Sequence, residues 1–247
     1  RQRQMCIRDR YSNCLNREME FKIYGHTGIP LLVFPAQDGR FYDFENFGMI
    51  SVIADKIEAG SIQVFCLDSI DGECWSDEGG NGPHRTYMME QWYYYVMNEL
   101  IPRIFDINGT GQKIYTTGCS MGATHAANFM FRRPDIFQGC ICLSGYYDSD
   151  LFFGNYHDER LYNNSPIQYL EGMSYDHPYV EMYRHCDIIL CCGQGAWEDE
   201  MIYSTHRMQE LLENKDIPAW IDYWGYDVNH DWDWWQIQLP YFINHIL

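Results

Sequence analysis

The sequence predicts an α/β fold, with a mostly parallel central sheet and helices on both faces. Three observations carry that expectation. Short continuous apolar runs, such as Leu31-Leu32-Val33-Phe34 and Cys140-Ile141-Cys142-Leu143, suit strands covered on both faces. Segments of helical length lie between them, so strand and helix signals alternate. The 247 residues, 46% hydrophobic and 17% aromatic, can fill one large core.

The elements follow in order. Residues 20–24 alternate apolar and polar, as a half-buried strand does. Residues 30–34 form a buried strand ended by Pro35, and 44–58 a helix closed by Gly60. Residues 62–67 are a third strand. Residues 68–83 are polar and rich in Gly, hence a loop. A long amphipathic helix is expected over 86–107, interrupted near Pro102 and stopped by Asn108-Gly109. Strand 113–117, helix 121–132 and strand 139–143 come next. Residues 145–186, with many Tyr, Asn and Asp, read as an irregular, lid-like insertion with room for short helices. Strand 187–192, helix 200–214, strand 219–223 and a terminal helix over 231–246 complete the chain. No linker divides it, so 11–247 reads as a single domain. Residues 1–10 carry four Arg and one Asp in an otherwise acidic chain and read as a non-native leader, with Met5 to Asp9 matching a translated sequencing-library adaptor.

Charge and composition exclude several functions. There are 17 Lys+Arg against 35 Asp+Glu, a net charge of −18, which repels nucleic-acid phosphates. No apolar run approaches the roughly 18 residues of a membrane span. His and acidic residues are not spaced as metal ligands, and no cofactor is expected. Gly193-Gln194-Gly195 follows a strand, but the third Gly of a dinucleotide fingerprint would fall at Glu198. The ten Cys include no CxxC pair, and several sit inside strand-like runs. Free buried thiols favour a reducing bacterial cytoplasm, with secretion left open. The sequence leaves a homo-oligomer open as well.

Gly118-Cys119-Ser120-Met121-Gly122 matches G-x-S-x-G. About one chain in ten to fifteen of this length carries it by chance, so its surroundings decide. A strand precedes it and a helix follows, as a nucleophile elbow requires; the alternative is that Ser120 only caps that helix. A nucleophilic Ser needs a base and an orienting acid, in the order Ser, acid, His. His230 lies between the last strand and the terminal helix. The acid should follow strand 187–192, where Glu198 is first past the turn; Asp199 and Asp227 compete with it. One oxyanion donor would be the Met121 N–H, and the other the Gln37 N–H in the loop after residue 34, with Ala36 next. Trp75, Tyr146, Tyr147 and Trp197 fall in loops after strand C-termini and are candidates for an acyl or aryl pocket.

Phe34-Pro35-Ala36-Gln37-Asp38-Gly39-Arg40-Phe41, Cys66-Leu67-Asp68-Ser69, Thr117 to Ala123, Leu143-Ser144-Gly145 and His230-Asp231-Trp232 together resemble the putative-esterase branch of the α/β-hydrolases, related to esterase D and feruloyl esterases. The resemblance runs from Tyr11 to Leu247. It implies an α/β-hydrolase fold and a serine hydrolase with Ser120 as nucleophile and His230 as base. The resulting expectation is a serine carboxylic-ester hydrolase for small soluble esters, working through an acyl-enzyme. An acyltransferase with the same residues and a non-catalytic binding protein on this fold are the alternatives.

Overall fold

A computed structural model describes residues 5–246. Eight strands form one sheet in the order β1-β2-β4-β3-β5-β6-β7-β8: β1 Met5–Ser12, β2 Arg17–Tyr24, β3 Ile29–Phe34, β4 Ile62–Leu67, β5 Ile114–Cys119, β6 Phe137–Leu143, β7 Asp187–Cys192 and β8 Trp220–Tyr223. β1 pairs antiparallel with β2, and β2 antiparallel with β4. All pairings from β4 through β3 to β8 are parallel. The strand run matches the expected α/β-hydrolase order, with one addition. Residues 5–10, set apart in the sequence as a leader, lie within β1; residues 1–4 fall outside the described residues.

Alternation along the strands builds two cores. Leu32 and Phe34 of β3, Phe65 and Leu67 of β4, and Cys140 and Cys142 of β6 face one layer. Leu31, Val33, Val64, Cys66, Ile141 and Leu143 face the other. Strand side chains alternate faces with period two, so continuous apolar runs feed both layers at once. The first layer is covered by α3 (Gly82–Tyr94), α5 (Met121–Arg132) and α10 (Asp199–Glu213). The second is covered by α1 (Asp43–Asn46), α2 (Ala54–Glu58) and α11 (Trp232–Ile246).

Two expected helices differ in detail. The segment 44–58 is broken into α1, a 3₁₀ turn over Ser51–Ile53, and α2, because Gly48 takes a φ of 79° that a helix cannot contain. The long helix continues through Pro102. A π-helical turn over Tyr95–Leu100 runs directly into α4 (Ile101–Asn108), and this local change of the hydrogen-bond ladder just before Pro102 lets the helix pass a residue without an N–H. The insertion 145–186 holds short helices: α6 (Asp150–Phe153), α7 (Glu159–Asn163), α8 (Pro166–Gly172) and α9 (Pro178–Tyr183). A buried network fastens it to the body, with Arg132 on both carboxylate oxygens of Glu90 and Asn164 bridging to Glu90 and Asn128. Cys14, Cys66, Cys74, Cys119, Cys140, Cys142, Cys186, Cys191 and Cys192 are free thiols, and among the described residues no helix is long and apolar enough to cross a membrane.

Candidate active site

The loops after β3, β5, β6, β7 and β8 meet at the C-terminal edge of the sheet, where open α/β sheets bind ligands. At its centre is the turn from β5 into α5. Ser120 holds φ 56° and ψ −125°, a strained conformation for a residue with a side chain. The turn closes because Gly118 and Gly122 lack Cβ atoms. A Cβ on Gly118 would lie 2.3 Å from the Gly122 carbonyl carbon, and one on Gly122 would lie 2.3 Å from the Phe34 oxygen. The same absence seats the elbow directly against the start of the 35–40 loop.

The Ser120 hydroxyl makes no capping bond to α5. Its Oγ lies 2.9 Å from Nε2 of His230. Nδ1 of His230 lies 3.4 Å from Oε2 of Glu198. Three acids were open in the sequence, and geometry separates them: Glu198 is fully buried behind the imidazole, whereas Asp199 and Asp227 are exposed.

A buried carboxylate must be solvated by the protein. The other oxygen of Glu198 accepts the Ser144 hydroxyl at 2.6 Å and the Gly193 N–H at 3.3 Å. Ser144 in turn accepts the Trp235 indole N–H at 3.1 Å. Trp235 also presents its ring edge-on to His230, with centroids 4.9 Å apart. Gly193 allows the His230 loop to approach, because a Cβ there would lie 2.0 Å from the Val228 oxygen. The His230 N–H donates to the Ala196 carbonyl at 3.0 Å, which ties the His and acid loops together.

Sequence reasoning missed Ser144, Trp235 and the reason for Gly193. Leu143-Ser144-Gly145 stands among the motifs of the resemblance without a role, and nothing in the sequence singles out Trp235. A serine directly after a buried strand, with the left-handed φ of 57° it takes here, is the signal that could have drawn attention.

The two expected oxyanion donors are the Met121 N–H, at the elbow itself, and the Gln37 N–H, in the loop whose start at Phe34 and Pro35 packs against Gly122. Neither donates to a protein acceptor among the described residues. The four pocket candidates separate. Tyr147 is fully enclosed, and Trp75 is buried against Phe152, Phe153 and His125, so both are core residues and do not wall an open pocket. Tyr146 is also buried, and its hydroxyl donates to Asp150 at 2.6 Å. Burial and that carboxylate push its pKa up. Trp197 is 81% exposed beside Glu198. Cys119, next to Ser120, is buried, and desolvation pushes its thiol well above its ordinary range, which disfavours the reactive thiolate.

Comparison with known proteins gives the family and the fold. A family model described as "Putative esterase" matches residues 12–245. No curated protein matches the chain. Among solved structures, a ferulic acid esterase superposes with a TM-score of 0.77 at 15% identity, covering 99% of this chain and 97% of that one. An S-formylglutathione hydrolase from Agrobacterium tumefaciens gives 0.75 at 15% identity, covering 98% and 93%. The fluorophosphonate-binding serine hydrolase F of Staphylococcus aureus gives 0.69 at 12% identity, covering 99% and 98%. These likenesses show a shared fold across nearly the whole chain. With nearly all of its length matched by the family model, the chain belongs to this esterase family of the α/β-hydrolase superfamily and is a carboxylic-ester hydrolase.

Proposed function

We propose that the chain hydrolyses small, soluble carboxylic esters through a Ser120–His230–Glu198 triad and an acyl-enzyme. The observation that carries this reading is the 2.9 Å contact between Ser120 Oγ and His230 Nε2 on a strained elbow, with a buried carboxylate behind the ring.

Neutral His230 carries its proton on Nδ1, facing Glu198, which leaves Nε2 free to accept the Ser120 proton. Ser120 attacks the ester carbonyl as that proton moves. The developing oxyanion is held by the N–H groups of Met121 and Gln37, and the imidazolium is stabilised by Glu198. His230 then returns the proton to the leaving alcohol, and water repeats the sequence on the acyl-enzyme. Ser144 and Gly193 donate to the second oxygen of Glu198 and hold the carboxylate in place. Trp197 stands at the rim, where its exposed ring is available to the acyl or alcohol group. The compact insertion of short helices, rather than a large cap, fits small esters.

Turnover of p-nitrophenyl acetate, butyrate and octanoate by wild type and Ser120→Ala tests the reading. The expected profile favours the short acyl chains and vanishes in the variant. Hydrolysis that survives in Ser120→Ala, or a preference for octanoate, contradicts it.

A further inference from the structure

One buried ionisable pair takes no part in the mechanism above. His125, on α5, places Nε2 2.9 Å from Oδ1 of Asp71, and both side chains are almost wholly buried. The His125 ring is enclosed by Phe34, Trp75 and Trp92. Burying two such groups is costly unless each is satisfied, so the position of the pair calls for a reason.

That position lies under the 35–40 loop. The Gly39 N–H donates to the Ala36 carbonyl at 2.8 Å, which makes Gln37 and Asp38 the central pair of a tight turn. Asp38 has a φ of 57°, the positive value that type II turns need at that place and that a residue with a side chain adopts only at a cost. The peptide between two central turn residues is the one able to flip. Here it is held, because the Asp38 N–H donates to Oδ2 of Asp71 at 3.3 Å. Asp71 grips the other side of the turn as well. Its carbonyl accepts the Ser76 N–H at 2.8 Å, and the Ser76 hydroxyl accepts the Gln37 side-chain amide at 3.0 Å. His125 lies one helical turn along α5 from Met121, so the pair links the helix carrying one oxyanion donor to the turn carrying the other.

We propose that Asp71 and His125 are positioning residues that hold the Gln37 N–H in register with the Met121 N–H. The proposal rests on the serine-hydrolase reading of Ser120. His125 donates through Nε2, fixes the Asp71 carboxylate, and leaves Oδ2 to hold the turn. Neither side chain touches the substrate.

The test compares Asp71→Ala, His125→Ala and His125→Gln with wild type, using p-nitrophenyl butyrate turnover, inhibition by a small alkylthio trifluoromethyl ketone, and thermal melting. Gln is chosen because its side-chain amide can replace the Nε2 donor. Deleting an oxyanion donor outright costs about 10²–10³ in kcat, so displacing one should cost roughly ten- to a hundredfold. The expected result is that loss in kcat for both Ala variants, with KM within about twofold and trifluoromethyl ketone affinity weakened in parallel, since only the tetrahedral state uses the donors. His125→Gln should recover most of the loss. Should the Ala variants fold poorly, His125→Gln against wild type carries the comparison: ketone affinity and kcat close to wild type are expected, and a parallel loss of both overturns the proposal. Unchanged ketone affinity in folded Ala variants, or a Gln variant as impaired as Ala, overturns the proposal while wild-type turnover keeps the esterase reading intact. An inert wild type overturns that reading itself.

Discussion

Replacing Ser144 by Ala removes one hydroxyl and unsatisfies two buried groups. Oε1 of Glu198 keeps only the 3.3 Å Gly193 N–H, and the indole N–H of Trp235, itself 3% exposed, loses its acceptor. A hydrogen bond to a charged group contributes about 1.5–3 kcal/mol, and an orphaned buried donor costs about 1–3 kcal/mol. The two share one atom and do not add in full, so roughly 2–4 kcal/mol of stability is expected to go. For a chain of this size that is a fall of about 5–15 °C in Tm. The loosened carboxylate should also lower kcat by about tenfold with little change in KM, because it serves the imidazolium formed in the transition state. Ser144→Gly supplies the internal control. It loses the same hydroxyl but relieves the left-handed φ of 57°, worth about 1 kcal/mol. It should therefore match the Ala variant in kcat and melt above it. Differential scanning calorimetry with p-nitrophenyl butyrate kinetics reads both quantities. An Ala variant with wild-type Tm and kcat would refute the reasoning that Ser144 and Trp235 hold the acid.

Ser120→Gly should abolish turnover yet raise Tm by roughly 2–6 °C, because the φ 56°, ψ −125° backbone costs a residue with a side chain about 1–3 kcal/mol and a glycine far less. A fall in Tm would contradict the strain. Stability should also decline as pH rises above 9. Burial pushes Cys14 and Cys186 from 9.0 up to about 11 and Cys192 up to about 12. Between pH 9 and about 11–12 the unfolded chain has released thiol protons that the folded chain retains, so unfolding becomes easier with each step in pH. Urea midpoints at pH 8 and pH 10.5 that coincide would contradict this sign.

Much of the arrangement was legible in the residues, for physical reasons that can be named. Strands buried on both faces must be apolar throughout, so β3, β4, β6 and β7 stand out as runs. A strand–turn–helix passage with Gly on both sides of Ser120 is one of few ways to close so tight a turn. Chain order then pointed to His230 and Glu198, and the folded chain brings them within reach of one another. Other features depend on contacts far apart in sequence. Ser144 meets Glu198 across 54 residues and Trp235 across 91. Asp71 meets His125 across 54 residues. The pocket reading failed at Trp75 and Tyr147 because position after a strand end does not say whether a large ring turns outward or packs beneath the loop. The bounds of the four short helices in 145–186 were not legible, because each is only four to seven residues long, too short to show a periodic apolar face.

The central claim is that Ser120 is an activated nucleophile. Mass spectrometry after exposure to a fluorophosphonate, on wild type and Ser120→Ala, tests it most directly. The expected result is a single covalent adduct whose peptide maps to Ser120, absent from the variant and from wild type denatured beforehand. An adduct on another residue, or an unreactive native protein, would contradict the account.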